Sequence, residues 1–374
     1  IADMDHGIPI TPETVFDIAS ISKQFGAMAA LLLEAQGRLD LEEDVRAYVP
    51  ELPDFGPTIV PRHLIHHTSG IRDWPHTMSL GGVEYSDVIS FDKILRMLYQ
   101  QSAINFPPGS EYAYSNTGYN LLAKTIEVRS GMTFRDYTQE QIFEPLGMKN
   151  THFSDDYLEI VPGRAGSYAP VGDETDGIFR RQINQLTALA SSSLNTTVDD
   201  FILWMKNYET SQVGGEEIIH RMLERGVLTS GDTLDYAHGL TMGEYRGLKH
   251  FGHGGSWAGF RTNFIRFPQE DLSIVVFCNF STCDPAGRAL KVAEVFLEEW
   301  PIRYPIQFPP SPNIGSCLYP FRILSLHSER STNYHSQQKR YPFEKAVCSI
   351  AVFFESRSPN CSCLPDGGGC YWKD

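Results

Sequence analysis

The stretch FDIASISKQF at residues 16–25 places a serine where it could act as a nucleophile. Ser20 precedes Lys23 by three residues at the start of a helical pattern, and residues at i and i+3 share one face of a helix. A serine hydroxyl becomes a good nucleophile when a neighbouring base takes its proton, and a buried lysine has a lowered pKa that makes its neutral amine available. The same spacing also fits a helix-capping serine followed by a surface lysine. Ser22 points to another side and is predicted to be structural.

A second candidate segment is YAYSNTGYN at 112–120, which follows a Pro-Pro-Gly turn. Tyr114 in a loop could relay a proton, and the nearby amide of Asn116 could hold a substrate carbonyl. The alternative is an aromatic packing residue followed by residues that cap a helix.

A third segment, HFGHGGSWAGF at 250–260, combines histidines with several glycines. Glycines beside His253 allow the backbone to approach a ligand closely, and strand N–H groups here could face an acyl oxygen. Trp257 and Phe260 could line an acyl pocket. The alternatives are a glycine-rich hairpin and aromatic packing in the core.

The elements that would position these segments are mainly helices, followed by strands. Apolar residues recur at helical spacing from Ser20 to a stop at Gly37. Further helices are predicted near 91–101, 116–130, 134–144, 197–208 and from about 216. Strand-like runs follow in YAHGLTMGEY, KHFGHGG, GFRTNFIRF and LSIVVFCNF, before a helix at about 285–299.

This order predicts an α/β fold in which an antiparallel sheet is flanked by helices and carries a mainly helical insertion. Residues 1–60 and 211–300 are assigned to the sheet part, and residues 61–210 to the helical part. Residues 301–374 hold five of the seven Cys and nine of the 23 Pro. They are expected to form an irregular Cys/Pro/Ser-rich tail outside the catalytic fold. A small module stapled by disulfides and an out-of-frame end are the alternatives.

Composition argues against several kinds of partner. The 374 residues are 41% hydrophobic, which allows a sizeable core, and their formal net charge is −15. Nucleic acid is not expected as a partner, because phosphate binding needs clustered Lys and Arg. No apolar run of about 18 residues indicates a membrane span, and no signal peptide is seen.

The cluster HLIHH (63–67) lacks an HExxH motif or a cysteine pair, so structural histidines are expected there and no metal site.

Together the three segments resemble the serine β-lactamase and penicillin-binding protein-like family, in its branch of class C β-lactamases, DD-peptidases and family VIII esterases. The motifs of that family appear as SISK (20–23), YSN (114–116) and HGG (253–255). Three further stretches are typical of the branch, LIHHTSGI (64–71), FPPGSEYAYSN (106–116) and FEPLGM (143–148). The resemblance covers roughly residues 1–300.

The resemblance implies a serine hydrolase in which Ser20 is the acylated nucleophile. It implies that Lys23 and Tyr114 share the general-base and general-acid work, and it leaves open which of them takes the serine proton. His253 would lie across the cleft, near the tyrosine and the polar end of the substrate. Water would then hydrolyse the acyl-enzyme, and no cofactor is implied.

The resemblance also implies a set of substrate-binding residues. Asn116 would orient the amide or ester carbonyl, while Gly255, Ser256 and Trp257 would lie along the substrate. The backbone N–H groups of Ser20 and Ser256 would form the oxyanion hole, where each preorganised donor is worth roughly 3–4 kcal/mol.

The strand motif departs from the family pattern in a way that bears on the substrate. HGG has no fixed lysine charge and no hydroxyl at Gly254, and such groups favour the binding of a penicillin or peptide carboxylate. Small-molecule esters, amides or peptides are therefore the expected substrates, as for a carboxylesterase or a D-amino-acid peptidase. β-Lactamase or DD-carboxypeptidase activity is the alternative. A catalytically weak binding or structural protein is the rival from another class.

The start of the chain differs from the family as well. Only 19 residues precede Ser20, where the family has a helix and one or two strands, so N-terminal strands are expected to be missing. An export signal upstream would make the protein periplasmic or secreted, and without one it would be cytoplasmic. The oligomeric state is left open.

Overall fold

The computed structural model describes residues 1–172, 177–298 and 348–354. The strands are β1 (Phe16–Asp17), β2 (His152–Phe153), β3 (Tyr168–Pro170), β4 (Phe179–Arg181), β5 (Leu194–Thr196), β6 (Thr241–Tyr245), β7 (Leu248–Trp257), β8 (Phe260–Phe267), β9 (Leu272–Cys278) and β10 (Cys348–Phe354). The helices are α1 (Lys23–Ala35), α2 (Pro61–Ile65), α3 (Trp74–Leu80), α4 (Phe91–Tyr99), α5 (Asn116–Ser130), α6 (Phe134–Thr138), α7 (Glu144–Leu146), α8 (Val198–Thr210), α9 (Gly215–Met222) and α10 (Pro285–Glu298).

The main sheet has five antiparallel strands in the order β10-β9-β8-β7-β6. Strand β9 is buried on both faces, because alternate side chains enter two different cores. Val275 and Phe277 pack with residues of α1 and α8, whereas Val276 and Cys278 pack with residues of α10. Cys278 is also joined to Cys283 by a disulfide. The predicted antiparallel sheet flanked by helices is confirmed.

One strand of this sheet comes from the chain after residue 300. Strand β10 pairs with β9 along its whole length, from Cys348 opposite Cys278 to Phe354 opposite Leu272. The sequence assigns these seven residues to a tail outside the fold, whereas the structure pairs them with β9. The physical reason is that β10 pairs with backbone groups of β9 that would otherwise lie on an open sheet edge. The rest of this range lies outside the described residues.

The helix predicted from Ser20 is found as α1, which begins three residues later, after a 3₁₀ turn, and is buried along most of its length. Gly37 follows it in the left-handed conformation, at φ 67°, as a glycine stop requires. A Cβ on Gly26 would lie 2.8 Å from the Cβ of Ala190, so small residues allow this close approach. The ring of Phe25 packs against Phe143 and Trp204, which places α1 between the π-helical turn after α6 and helix α8.

The other helices follow the predicted positions closely. Those expected near 91–101, 116–130 and 197–208 are found as α4, α5 and α8, and the one expected near 134–144 is found as α6 and α7, separated by a π-helical turn. Within the described ranges, none of the helices has both the length and the apolar character needed to cross a membrane. The division of the chain into a sheet part and a helical part stays a prediction.

Strand β7 passes very close to the turn that precedes α1. A Cβ on Gly255 would lie 2.2 Å from the carbonyl oxygen of Ile18 and 2.2 Å from Oγ1 of Thr262. Thr262 Oγ1 donates a hydrogen bond of 2.9 Å to the same Ile18 carbonyl. Only a glycine at this position allows β7 to lie against the segment that carries Ser20.

We expect Gly255→Ala to destabilise the fold and Gly254→Ala to be tolerated. A Cβ on Gly254 would meet no atom closer than 3.8 Å, whereas one on Gly255 would collide with backbone. Forcing an extra methyl group into a packed site typically costs about 1–3 kcal/mol. Urea unfolding of both variants measures this difference. Equal unfolding free energies would show that the close approach does not depend on glycine.

Candidate active site

Ser20 and Lys23 form the centre of the site. Ser20 lies in a single 3₁₀ turn (Ala19–Ser22) that leads directly into α1, whose first residue is Lys23. The Lys23 side chain is fully buried, and its Nζ donates to Ser20 Oγ at 3.2 Å. The same Nζ donates to Asn116 Oδ1 at 2.8 Å and to the Ser191 carbonyl at 2.8 Å. The alternative of a helix-capping serine followed by a surface lysine is therefore excluded, because Lys23 is buried.

The surroundings of the Lys23 amine make its neutral form accessible. Burial lowers the pKa of Lys23 from 10.5 to about 7, and the nearby carboxylate of Asp73 acts in the opposite direction. At neutral pH a large share of the molecules then carries an uncharged amine beside the Ser20 hydroxyl. Such an amine can accept the hydroxyl proton.

Tyr114 completes this group from the loop before α5. Its ring lies 4.7 Å from Lys23 Nζ, and its hydroxyl interacts with the Ser20 side chain, which partly offsets the rise in its pKa. Although 37% of the residue is exposed, the surrounding protein raises the pKa of Tyr114 well above 10.0. The tyrosine is therefore protonated at neutral pH. His67 packs behind it, with 4.3 Å between the ring centroids.

Asn116, the first residue of α5, is held by a residue that was not among the predicted ones. Asp73 Oδ2 accepts from Asn116 Nδ2 at 2.9 Å, and Asp73 Oδ1 accepts from the backbone N–H groups of Asn116 and Thr117 at 2.7 and 3.2 Å. These bonds orient the amide so that its oxygen faces Lys23. In sequence Asp73 stands just before α3 and looks like a cap of that helix, but its side chain instead caps α5.

His253 is buried opposite Tyr114, with 6.1 Å between the ring centroids. Its Nδ1 lies 2.6 Å from the Gly254 carbonyl, which can only accept, so Nδ1 carries the hydrogen. Nε2 then accepts from the Tyr236 hydroxyl at 3.2 Å. Burial, together with the charge of Lys23, lowers the pKa of His253 to about 3. The HGG segment therefore presents a neutral imidazole.

The rest of the HGG segment lies beside the Ser20 turn. Strand β6 pairs with β7 only as far as Gly252, so Gly255, Ser256 and Trp257 extend past it. Ser256 is exposed. The Trp257 ring packs edge-on against Trp74 and Tyr85, each at 5.7 Å between centroids, so a wall of aromatic rings adjoins this end of the strand.

The structure brings Ser20, Lys23, Tyr114, Asn116 and His253 together. Two other polar residues lie beside this group and make structural contacts. Ser22 is buried, and its hydroxyl accepts from the Leu194 N–H at 3.3 Å, in keeping with a structural residue. His67 Nδ1 accepts from the Ser115 N–H at 3.1 Å and so supports the tyrosine loop. In the described ranges, no group of three or more His, Cys, Asp or Glu residues is arranged to hold a metal ion.

Comparison with known proteins gives a consistent result. A family model described as Beta-lactamase matches residues 1–295. The D-aminopeptidase of Gluconobacter oxydans is 27% identical over 278 residues, which cover 74% of this chain and 52% of that protein. The D-aminopeptidase of Brucella canis is 29% identical over 332 residues, which cover 88% of this chain and 62% of that protein. The chain therefore spans between half and two thirds of the length of these relatives.

Two solved structures superpose on this fold. An octameric penicillin-binding protein homologue from Pyrococcus abyssi superposes with a TM-score of 0.70 at 27% identity, covering 79% of this chain and 69% of that chain. The D-amino acid amidase of Ochrobactrum anthropi superposes with a TM-score of 0.66 at 23% identity, covering 79% and 88%.

We expect the buried amine to make stability depend on pH in a defined direction. Between about pH 7 and 10.5 the unfolded chain binds a proton at Lys23 that the folded chain does not, so wild-type stability rises with pH in this window. Relative to Lys23→Met, the wild type should gain up to about 1.4 kcal/mol per pH unit. Urea unfolding of both proteins at pH 8 to 10 tests this. A difference that stays constant with pH would mean that Lys23 keeps its ordinary pKa.

Proposed function

Because this chain belongs to the beta-lactamase family, we propose that it is a serine hydrolase that forms an acyl-enzyme at Ser20 and cleaves amide or peptide bonds. The observation that carries the proposal is the buried Lys23 amine, 3.2 Å from Ser20 Oγ. Burying an amine costs stability. A lysine whose pKa is lowered to about 7 beside a hydroxyl is the arrangement that activates a serine nucleophile.

In this mechanism Lys23, rather than Tyr114, takes the serine proton. The neutral amine accepts the proton from Ser20 Oγ while Oγ attacks the substrate carbonyl carbon. The tyrosine is protonated at neutral pH, so it is suited to give a proton rather than to take one. Tyr114 then donates its proton to the leaving nitrogen and regains one from the Lys23 ammonium. Attack by water on the acyl-enzyme releases the acid and restores Ser20.

The negative oxygen formed in each step needs donors that are already in place. The backbone N–H groups of Ser20 and Ser256 fill this role, because β7 lies directly against the Ser20 turn. Asn116 Nδ2 has a second hydrogen besides the one given to Asp73, and this hydrogen is available to a substrate carbonyl. His253 lines the opposite side of the cleft as a neutral group.

The substrate class follows from the relatives together with the charge of the site. Both curated relatives described above are called D-aminopeptidases, and a solved structure with this fold is a D-amino acid amidase. His253 is neutral, so the HGG segment offers no positive charge to a carboxylate of the kind that penicillins carry. We therefore propose amides and short peptides of D-amino acids as substrates, ahead of β-lactams.

The test of this proposal is covalent trapping followed by turnover. A fluorophosphonate should form one covalent adduct, measured by mass spectrometry, with the wild type and with Ser22→Ala. It should form none with Ser20→Ala or Lys23→Ala. Ser22→Ala is the matched control because Ser22 lies in the same turn and faces the core. Labelling of Ser20→Ala would identify a different nucleophile. A folded wild type without any labelling would indicate a binding protein instead.

The same preparations decide the substrate class. The kcat/KM for D-amino acid p-nitroanilides should exceed the value for the L-enantiomers and that for nitrocefin, with no turnover by Ser20→Ala. Greater activity on nitrocefin would assign the protein to the β-lactamases. Greater activity on a nitrophenyl ester than on any amide would assign it to the carboxylesterases.

Asp73→Asn should change the pH profile of acylation as well as its rate. The rate rises with pH as Lys23 loses its proton, with a midpoint near pH 7. The negative charge of Asp73 raises the pKa of Lys23, so its removal should move this midpoint to lower pH. The plateau rate should also fall, because Asn116 loses one of its two acceptor oxygens on residue 73. Asp92→Asn, on the exposed side of α4, is the control, and an unmoved midpoint in Asp73→Asn would contradict the coupling.

A further inference from the structure

A continuous series of hydrogen bonds runs between the two sides of the proposed oxyanion hole. The Trp257 indole Nε1–H donates to Asn184 Oδ1 at 3.0 Å, and Asn184 Nδ2 donates to Asp17 Oδ2 at 2.9 Å. The other carboxylate oxygen, Asp17 Oδ1, accepts from the Ala19 backbone N–H at 2.8 Å. Asp17 is 2% exposed, so its bonds are sheltered from water.

Each end of this series of hydrogen bonds lies one residue from a proposed oxyanion donor. Ala19 directly precedes Ser20, and Trp257 directly follows Ser256. Ala19 has φ 49°, in the left-handed region that a residue with a Cβ seldom occupies. Such a conformation persists only when the surrounding structure holds it, and the bond from Asp17 to the Ala19 N–H does so directly.

We propose that Asp17 and Asn184, with the indole of Trp257, are positioning residues that set the distance between the Ser20 and Ser256 backbone donors. This inference rests on the proposed function, since it assigns the means by which that oxyanion hole is held. Asp17 and Asn184 do not touch the substrate. They act through the backbone turn at Ala19 and through the end of β7.

The direction of every bond in the chain is determined by its two ends. An indole nitrogen and a backbone N–H can only donate, and a carboxylate can only accept. Asn184 must therefore turn its oxygen to Trp257 and its nitrogen to Asp17. A single Asp17→Asn change breaks this order, because two hydrogen-bond donors must then face each other at one of the three contacts.

The same reasoning predicts that exchanging Asp17 and Asn184 restores the hydrogen bonds between Trp257 and Ala19. In Asp17→Asn/Asn184→Asp, the amide at position 17 accepts from Ala19 and donates to the carboxylate at position 184. That carboxylate accepts from Trp257 with its other oxygen. In Asn184→Asp alone, two carboxylates face each other, so this single change should be as harmful as Asp17→Asn.

The experiment compares the wild type, Asp17→Asn, Asn184→Asp and the exchange variant. The substrate is the p-nitroanilide on which the wild type has the highest kcat/KM. Each single change should lower kcat roughly 10- to 100-fold, as a small misplacement of a catalytic group does, with KM changed less than about threefold. Inhibition by a boronic acid, which forms a tetrahedral adduct with the serine, should weaken in parallel with kcat/KM. The exchange variant should return to within about fivefold of wild type.

Two additional variants separate positioning from folding. Asn184→Ala removes the middle link at a half-buried site, and it should lower kcat with little change in melting temperature. Ile183→Ala, whose side chain is 54% exposed next to Asn184, should behave as wild type. If the single variants merely unfolded, the kcat per active site, counted by fluorophosphonate titration, would be unchanged, and positioning would be refuted.

The outcomes also separate this inference from the proposed function. A wild type that is not acylated at Ser20 overturns the proposed function, and the positioning role with it. The positioning role alone is overturned if the wild type is acylated and the single variants have wild-type kcat. It is also overturned if the exchange variant is no better than the weaker single variant.

The Trp257 indole proton in the NMR spectrum adds a readout without turnover. It should be protected from exchange in the wild type and the exchange variant and lose protection in Asp17→Asn.

Discussion

A lysine amine held away from water is the feature on which the rest of the site depends. The low polarity around Lys23 disfavours charge on every group nearby, which lowers the pKa of Lys23 and His253 and raises that of Tyr114. One cause therefore favours the uncharged form of all three groups near neutral pH. They are an available base, a neutral imidazole and a tyrosine that keeps its proton.

Burial of that amine is possible because other parts of the fold provide its acceptors. The Ser20 hydroxyl comes from the turn before α1, the Asn116 oxygen from the start of α5, and the Ser191 carbonyl from a loop 168 residues further along the chain than Lys23. Asp73 adds the negative charge that limits the fall of the lysine pKa. Without partners for all three ammonium hydrogens, the buried charged form would be too costly to populate.

The backbone around Ser20 is held by equally specific contacts. Gly255 permits β7 to lie against Ile18, and Thr262 bonds to the same carbonyl. On the other side of the turn, Asp17 accepts the Ala19 N–H in a conformation that is otherwise unfavourable. Ser20 therefore lies on a backbone whose position is set by the neighbouring strand and by the buried Asp17.

Local patterns in the chain were enough to predict most helices, strands β6 to β9 and the candidate site residues. Helical and strand periodicities depend on near neighbours, and SISK, YSN and HGG are short enough to be recognised without coordinates. The roles of Asp73, Asp17 and Asn184, and the pairing of β10 with β9, depended on the folded chain. Asp73 looks like an ordinary helix cap, and its partner helix begins 43 residues later. A hydrogen bond or strand pairing between distant residues leaves no periodic trace, so only the packed structure reveals which polar groups meet.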